Sequence, residues 1–269
     1  MRETFVLSKA RLKLYARLRD KKIRDTERLF LAEGERVVKQ LLSALPHPDM
    51  LLALLFKDGS SVPPILASLY PKKQFFLSTK AFEQIADAEE PQNVMAIFKQ
   101  PQSTLSDVVD AQHPAHPSLL LALDGVQDAG NVGTLLRTAA WFNASAVMSN
   151  THTADFFNPK VVRASAGSLF SLPLIRSTDF LNDLHTLKQA GFTFYATALS
   201  GTPLSSVRFA PKSLVIVGSE AFGISERVMA LADETLCIHG NTKAVESLNA
   251  AVAAGIVLST ISSALKLVE

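Results

Sequence analysis

The sequence predicts an α/β protein in two parts, a small amino-terminal α/β domain and a larger domain whose mostly parallel sheet is covered by helices. In the second half, continuous apolar runs alternate with helical patterns, which is typical of parallel β-α-β units. Ten of the 12 glycines lie after residue 118. Residues 99–118 carry three prolines among polar residues, which predicts a linker with at most one helical turn. We therefore expect domains over 1–100 and 118–269, joined by a linker over 101–117.

The first domain is predicted from short apolar runs that alternate with amphipathic stretches. Apolar residues recur at helical spacing over 34–45, which predicts a helix there. Ser78 or Thr79 is suited to cap a helix that runs through Asp87. The other predicted helices cover 7–19 and 62–69, and the predicted strands cover 30–32, 50–56, 74–77 and 93–98.

In the second domain, apolar runs predict strands and amphipathic patterns predict the helices between them. Because the runs are nearly continuous, we expect these strands to be buried on both faces of the sheet. The predicted strands cover 119–124, 144–149, 192–198, 213–218 and 235–239. The predicted helices cover 131–142, 158–169, 179–189, 223–231 and 247–266.

The composition excludes several classes of protein. The 269 residues are 48% hydrophobic and 19% charged, which excludes global disorder. The single cysteine, Cys237, cannot form an internal disulfide, which favours a reducing compartment. The first residues are charged throughout and lack the apolar core of a secretory signal, and the longest apolar runs are too short to cross a bilayer. We expect a soluble, cytoplasmic protein without a membrane partner.

No metal site, dinucleotide fingerprint or nucleophile motif is predicted. His113 and His116 form an H-x-x-H pattern in the linker without Cys or acidic companions at metal-site spacing. The patterns G-x-G-x-x-G, G-x-x-x-x-G-K-[ST] and G-x-S-x-G are absent from the sequence. Cys237 lies in an apolar run and is expected in the core.

Positive charge is concentrated at the amino terminus. Residues 1–28 contain ten Lys or Arg against four Asp or Glu, whereas residues 118–269 contain ten against eleven. This pattern is suited to phosphate backbones, although a solvated basic helix would show it too. Further along, Arg163 lies in an Ala-rich stretch and either belongs to a packing helix or is presented to an anion. The candidate nucleic-acid contacts are Lys9, Arg11, Lys13, Arg17, Arg19, Lys21, Lys22 and Arg163.

A strand-to-helix segment is the first candidate site. An apolar run ends at Asp124, a glycine-bearing loop follows, and a helix that starts near Asn131 carries Arg137 two turns on. Open α/β sheets bind ligands at loops that follow the carboxyl ends of strands. Simple turn glycines and a surface role for Arg137 are the alternative at this point.

Two later segments repeat the order of strand, loop and helix. At 214–225, Gly218 would let a ligand approach the backbone and Glu220 could anchor a neighbouring loop, unless both only form a capped turn. Nearer the carboxyl terminus, Ser247 and Asn249 lie at the mouth of a helix rich in small residues, where free N–H groups gather. Plain helix capping is the alternative for both residues.

These motifs together are more specific than any one of them. They follow one another as NVGTLLRTAAWF (131–142), RASAG (163–167), IVGSEAFGIS (216–225) and ESLNAAVAAGI (246–256). The pattern resembles the SpoU (TrmH-like) family of RNA ribose 2′-O-methyltransferases, within the SPOUT superfamily. The first half resembles the L30e-like substrate-binding domain of many members, through RLFLAEGERVVKQLL (28–42).

The resemblance implies a carboxyl-terminal trefoil knot, S-adenosylmethionine bound in a bent form within it, and a homodimer that completes the active site across its interface. The implied catalytic positions are Arg137, Asn131, Glu220, Ser247 and Asn249. The implied cofactor-binding positions are Ala198, Leu199, Val217, Gly218, Ser219, Ile238, His239, Gly240 and Leu248. Ribosomal RNA is the expected substrate, because a compact tRNA enzyme need not have the first domain. A tRNA substrate, a non-catalytic RNA-binding role and a small-molecule enzyme are the alternatives.

Under this resemblance, each catalytic position has an expected role. Arg137 would clamp a phosphate and the developing alkoxide, because its guanidinium stays protonated. Asn131 would hold the loop that places Arg137, and Glu220 would join the motif loops. Ser247 and Asn249 would orient Arg137 or the ribose.

Three positions depart from the usual family pattern. Ser219 stands where Asn is common, and Ala250-Ala251 stand where Val-Ser is common. These changes keep the side chains small. His239 stands where an apolar residue, often Met, is common, in the segment expected to form the cofactor loop, and the sequence leaves its effect on cofactor affinity open.

Overall fold

Two sheets, one in each unit of the chain, organise the fold. The computed structural model describes residues 6–111 and 116–268. Unit 1 comprises Met1–Pro101 together with Asp155–Phe170, and unit 2 comprises Gln102–Ala154 together with Ser171–Glu269.

Unit 1 is an α/β arrangement with a four-stranded mixed sheet. Up to residue 101 its elements are α1 (Lys9–Ala16), α2 (Lys21–Glu27), β1 (Leu29–Glu33), α3 (Glu35–Ser43), β2 (Leu51–Lys57), α4 (Pro64–Ala67), β3 (Gln74–Leu77), α5 (Thr79–Ile85) and β4 (Val94–Lys99). The strand order is β1-β4-β2-β3. β4 is antiparallel to β1 and β2, whereas β2 and β3 are parallel.

The basic amino-terminal segment forms two short helices. The side chain of Ser8 caps α1 by accepting from the N–H of Arg11. The carboxylate of Asp20 accepts from the N–H of Lys22 at 2.8 Å and begins α2. An N-cap residue has an extended backbone, so Asp20 separates two helices. The helix predicted over 7–19 thus covers only Lys9–Ala16, and a second helix, which was not predicted, follows after Asp20.

Unit 2 contains a six-stranded sheet. From residue 102 on, the elements are α6 (Leu105–Asp110), β5 (Ser118–Asp124), α7 (Ala129–Trp141), β6 (Ala146–Ser149), α8 (Pro159–Ala164, in unit 1), β7 (Leu174–Arg176), α9 (Phe180–Gln189), β8 (Thr193–Pro203), β9 (Lys212–Gly218), α10 (Glu226–Met229), β10 (Glu234–Cys237) and α11 (Ala250–Leu265). The strand order is β10-β8-β9-β5-β6-β7, and each pairing is parallel. The predicted mostly parallel sheet is confirmed.

The centre of this sheet is the core of unit 2. All seven residues of β5 are buried, as are six of the seven residues of β9. Leu120, Leu214 and Ile216 belong to a cluster that continues into α9 through Leu184 and Leu187. Burial of such side chains stabilises the fold by roughly 1.5–3 kcal/mol each. This core holds the carboxyl ends of the central strands in register.

The predicted linker contains a longer helix than one turn. α6 has six residues, because Thr104 and Asp107 form a reciprocal capping box. The Asp107 carboxylate accepts from the Thr104 N–H at 2.9 Å, and the Thr104 hydroxyl oxygen accepts from the Asp107 N–H at 3.1 Å. The hydrogen bonds that Asp107 accepts from the Thr104 hydroxyl and N–H lower the pKa of Asp107.

Residues 155–170 fall inside the predicted second domain but belong to unit 1. The buried guanidinium of Arg24 donates to Asp155 from Nε at 3.0 Å and from Nη2 at 2.7 Å. The Phe30 ring contacts those of Phe157 and Phe170, with centroids 5.2 and 5.8 Å apart. Unit 1 thus includes a counter-ion and aromatic rings from a distant part of the sequence.

No helix within residues 6–111 and 116–268 is long and apolar enough to cross a membrane. In the same described part of the chain, no group of three or more His, Cys, Asp or Glu side chains could hold a metal ion. His113, from the H-x-x-H pattern, lies outside the described residues.

Candidate active site

The motif residues of unit 2 lie where parallel strands end and helices begin. Asn131 is in the first turn of α7, which follows β5. Its N–H donates to the N-cap carboxylate of Asp128 at 2.8 Å. Glu220 lies in the loop after β9, and Asn249 is the N-cap residue of α11. Neighbouring parallel strands end at the same edge of a sheet, so these positions converge.

Three of these side chains form one chain of hydrogen bonds, which we call the motif triad (Glu220, Asn131, Asn249). Asn131 Nδ2 donates to Glu220 Oε1 at 2.7 Å, and Asn249 Nδ2 donates to Asn131 Oδ1 at 3.0 Å. The other carboxylate oxygen, Glu220 Oε2, accepts from the N–H of Gln127 at 3.3 Å. The triad joins residues that are 89 and 118 positions apart. The expectation that Glu220 joins motif loops agrees with this geometry, whereas the contact with Gln127 was not predicted.

Asn249 both caps a helix and belongs to the triad. Its Oδ1 accepts from the N–H groups of Ala251 at 2.9 Å and Val252 at 3.3 Å, while its Nδ2 is directed to Asn131. The capping interpretation of Asn249 is confirmed, and the same side chain also contacts the motif residue Asn131, while its catalytic role stays a prediction. An Asn side chain has both an acceptor and a donor, so one residue serves both purposes.

Arg137 lies apart from the triad. It is exposed on α7, and among the described residues it has no hydrogen bond or ion pair. Residues six apart on a helix are separated by roughly 240° around its axis, so Arg137 and Asn131 project from different faces. Trp141, one turn further, is 78% exposed on the same face as Arg137.

Ser247 and Asn249 do not contact Arg137. The Asn249 amide is directed to Asn131, and Ser247 is exposed without a hydrogen bond to any residue that the structure describes. Ser247 and Asn249 were expected to orient Arg137 or the ribose. Within this single chain, neither of them orients Arg137. The Arg137 guanidinium is left available to a substrate phosphate or to another chain.

The loop that carries Glu220 is a tight hairpin. Ser219 N–H donates to Gly223 O at 2.9 Å, and Gly223 N–H donates to Ser219 O at 2.8 Å. A Cβ at Gly218 would lie 2.1 Å from the carbonyl carbon of Gly223, so only glycine fits. From the sequence, a ligand was expected to approach the backbone closely at Gly218. In the structure, the backbone of Gly223 in the same hairpin makes this close approach, and the compact hairpin holds Glu220 in place.

Most of the predicted cofactor positions lie in the bulge of β8, at the carboxyl end of β9 and directly after β10. β8 bulges here, because Ala196 pairs with Thr235 whereas Thr202 pairs with the next residue, Leu236. The bulge carries Ala198 and Leu199, and Leu199 is 74% exposed. At β9, Val217 is buried and Gly218 ends the strand, followed by Ser219. Ile238, His239 and Gly240 follow β10, and Leu248 is exposed in the loop before α11.

Several of these positions leave apolar side chains or open backbone exposed to solvent. Leu199 and Leu248 offer exposed apolar surface, and a Cβ at Gly240 would meet nothing within 4 Å. At the bulge, residues 197–201 of β8 have no pairing partner in β10.

The basic residues of the amino-terminal helices are exposed, but not all are free. Lys9, Arg11, Lys13 and Arg17 are exposed, as are Arg19, Lys21 and Lys22. Arg19 Nη2 donates to Gln84 O at 2.6 Å, and Lys21 pairs with Asp25 at 2.8 Å.

Arg163 differs from the other candidate RNA contacts. Its Nη1 lies 3.2 Å from Glu33 and 3.1 Å from Asp87, both within unit 1. The structure therefore favours the packing interpretation of Arg163 over an anion contact.

Known proteins share both halves of this chain. Residues 118–259 match the model of the SpoU rRNA Methylase family, and residues 9–96 match that of the MRM3-like substrate binding domain. The chain is 33% identical to the 23S rRNA (guanosine(2553)-2′-O)-methyltransferase RlmP of Bacillus subtilis over 249 residues, which is 92% of this chain and 94% of that protein.

Solved structures agree over nearly the full length. An rRNA methyltransferase from Sinorhizobium meliloti with AdoMet bound has a TM-score of 0.80 at 27% identity, covering 99% of this chain and 98% of that one. A protein from Porphyromonas gingivalis, described as an RNA methyltransferase of the TrmH family, has a TM-score of 0.77 at 32% identity, covering 95% and 98%. Because the motif triad joins the family's motif positions and the match spans more than half of the sequence, the chain belongs to the SpoU rRNA methylase family and is an RNA methyltransferase.

Proposed function

We propose that this chain transfers the methyl group of S-adenosylmethionine to a ribose 2′-hydroxyl of ribosomal RNA. The observation that carries the proposal is the motif triad, which brings the three catalytic motifs of the family together in one chain of hydrogen bonds. The substrate-binding domain over 9–96 and the long alignment with an rRNA enzyme favour ribosomal RNA over tRNA. This substrate would place the protein in the cytoplasm.

S-adenosylmethionine supplies an electrophilic methyl group when it is bound. The chain would hold it at the exposed ends of β8, β9 and β10, with Leu199 and Leu248 against its apolar ring. The hairpin at Ser219–Gly223 would form one wall of this site, because its two backbone hydrogen bonds keep it rigid. His239 is exposed in the adjoining loop, where its side chain would affect affinity.

Arg137 would bind the substrate at the reacting oxygen. Its guanidinium stays protonated, so it acts as a clamp on a phosphate and on the developing alkoxide rather than as the proton acceptor. Charge placed where negative charge develops lowers the barrier. The motif triad would hold the loop before α7 and thereby the position of the helix that carries Arg137.

We further propose that a second copy of the chain covers α7 and α11. Trp141, Val252 and Ile256 are exposed on these two helices, which pack together where Gly255 approaches Thr138. Large apolar side chains exposed on two helices that pack together are typical of an interface between subunits. Since Arg137 shares the exposed face with Trp141, the partner would complete the site around it.

A sedimentation experiment tests this interface. We expect the wild-type chain to be a dimer and the Trp141→Glu variant to be a monomer. Ile65→Glu changes an exposed apolar residue of unit 1 and should leave the dimer intact. A monomeric wild-type chain would overturn the proposal.

The path of the carboxyl-terminal segment supports the expected trefoil knot. β10 is the edge strand of the sheet, yet α11, which follows it, packs on α7 and β9 nearer the middle. The chain therefore returns from the edge across the ends of the neighbouring strands. We propose that it is threaded through the loops there, which would be one of the rare exceptions to unknotted connections.

Transfer of labelled methyl groups tests the function. The purified chain would be incubated with labelled S-adenosylmethionine and, separately, unmodified rRNA and unmodified tRNA. We expect label in rRNA, with the adjacent linkage resistant to alkaline cleavage. Label only in tRNA would select the alternative substrate. Cofactor binding without label would call for ribosomal particles as substrate, and neither binding nor label would indicate a non-catalytic RNA-binding protein.

A further inference from the structure

A buried carboxylate that the proposed reaction does not use ends strand β5. Asp124 is only 6% exposed. Its Oδ1 accepts from Asn150 Nδ2 at 2.6 Å, and its Oδ2 accepts from both the N–H and the hydroxyl of Ser225 at 2.7 Å. Burying a carboxylate is costly unless donors surround it, and here three donors do.

These hydrogen bonds connect three loops at the same edge of the sheet. Asp124 begins the loop that leads to α7, Asn150 follows β6, and Ser225 ends the loop after β9. Asn150 Oδ1 accepts in turn from the N–H of Gly125 at 3.2 Å and of Thr153 at 3.0 Å. The first residue after Asp124 is therefore held as well.

The loop that carries Glu220 is attached at both of its ends. At one end, Glu220 meets Asn131 and the N–H of Gln127. At the other end, Ser225 is bonded to Asp124. If the bond at Ser225 is broken, the hairpin keeps its internal hydrogen bonds between Ser219 and Gly223. Its hydrogen bonds to the segment before and at the start of α7 are then those of the solvent-exposed Glu220, for which water competes.

We propose that Asp124 is a positioning residue for methyl transfer, which acts by anchoring Ser225 so that Glu220 holds Asn131 and α7 in place. The proposal rests on the proposed methyltransferase function. It assigns Asp124 no contact with substrate or cofactor. Small displacements of catalytic groups are costly, about 100-fold in rate for 1 Å in favourable cases, so an anchor of this kind affects turnover.

An exchange of side chains between Asp124 and Asn150 isolates this role. In Asp124→Asn, the new amide oxygen can still accept from Ser225, but its NH2 faces the NH2 of Asn150. In Asn150→Asp, two carboxylates face each other. The double variant, D124N combined with N150D, presents an amide donor to a carboxylate, so every donor has an acceptor once more.

We expect each single variant to lose about 10- to 100-fold in kcat, with the KM for S-adenosylmethionine within about threefold of the wild type. The double variant should recover most of this kcat. Measurements are made well below the unfolding temperature of each variant. Asp233→Asn is the control, because Asp233 is a carboxylate at the opposite edge that accepts from Phe194 N–H at 2.7 Å, and its loss should leave kcat unchanged.

Amide hydrogen exchange gives a readout that does not require activity. We expect faster exchange over residues 219–225 in D124N and wild-type rates in the double variant. A folded D124N variant with wild-type kcat and exchange would overturn the proposal, as would a double variant that recovers stability without kcat. A wild-type chain that transfers no methyl group to any RNA would refute the proposed function instead, and the exchange data would still decide whether Asp124 anchors the loop.

Discussion

Asn249 Nδ2 donates to Asn131 Oδ1 at 3.0 Å, so the residue that begins α11 is bonded to the first turn of α7 across 118 positions of sequence. The same Asn249 side chain caps α11 through its oxygen. A single side chain therefore both begins the carboxyl-terminal helix α11 and connects two of the motif segments.

Asn249→Asp should separate these two roles. A carboxylate still caps α11, so we expect the unfolding temperature to stay close to that of the wild type. It has no donor for Asn131 Oδ1, so kcat should fall. Asn249→Ala removes the cap as well and should also cost about 1 kcal/mol of stability. Thermal unfolding and methyl-transfer rates check both variants, and an Asn249→Asp variant with full activity would contradict a role for the triad.

Arg137→Ala should abolish most methyl transfer while S-adenosylmethionine still binds. Loss of a donor at a developing oxyanion costs about 10²–10³ in kcat. Arg137→Lys keeps the charge but not the planar fork, so we expect only partial recovery. Calorimetry and single-turnover rates make the comparison. Arg208→Ala, at an exposed arginine of unit 2, is the control and should have wild-type kinetics.

Asp155→Ala should strongly destabilise unit 1, because it leaves Arg24 charged and buried at 1% exposure. Breaking a buried pair from one side costs about 3–5 kcal/mol. Asp25→Ala breaks the neighbouring but exposed pair with Lys21 and should cost only about 0.3–0.5 kcal/mol. Denaturant unfolding of the full chain measures the free energy of unfolding of both variants. Equal losses would show that burial of the Arg24–Asp155 pair does not increase the cost of breaking it.

RNA affinity should depend steeply on salt through the exposed basic residues of α1. Replacing Lys9, Arg11 and Lys13 by alanine should reduce the slope of log affinity against log salt by roughly 0.7–0.9 for each phosphate that is no longer bound. The charge of Arg163 is paired with Glu33 and Asp87. Arg163→Ala should therefore leave the salt slope unchanged, although it will lower stability. An unchanged slope for the triple variant would move the RNA-binding surface elsewhere.

The capping box of α6 should be disrupted in acid. Hydrogen bonds from Thr104 lower the pKa of Asp107, so the carboxylate contributes stability above its unfolded pKa, and this contribution is lost as pH falls through the lower folded pKa. An NMR titration of the Asp107 carboxyl group measures the midpoint. In Thr104→Ala the midpoint should rise towards the ordinary value, and an unchanged midpoint would contradict the assigned cause.

Local patterns in the sequence predicted five of the six strands of unit 2, whereas the three-residue strand β7 (Leu174–Arg176) was not predicted. Continuous apolar runs such as 119–124 predicted parallel strands, and β5 and β9 are buried as such runs require. Capping residues were also recognisable, since Ser78 does begin α5. Helix ends were less accurate, because α1 ends at Ala16 and a second helix begins after Asp20, and because the linker helix α6 is longer than the one turn predicted.

The motif order identified the family, but not the partners of each side chain. The residue types Glu, Asn and Asn at these positions indicated a site, whereas their hydrogen bonds depend on loops that the sheet brings together from 89 and 118 positions apart. Arg163 shows the same point from the other side. Its sequence context was compatible with a contact to an anion, but in the structure its guanidinium forms ion pairs with Glu33 and Asp87.

The sequence by itself therefore determined most of the strands, the approximate positions of most helices and the family of this protein, because these depend on residue types within a few positions of one another. Only the tertiary structure decided which polar groups meet. Asp124 received no role from its sequence context, since a carboxylate after an apolar strand is a common loop residue. Its burial between Asn150 and Ser225 exists only once β5, β6 and β9 lie side by side, because hydrogen bonds of 2.6–2.7 Å require positions that no local pattern specifies.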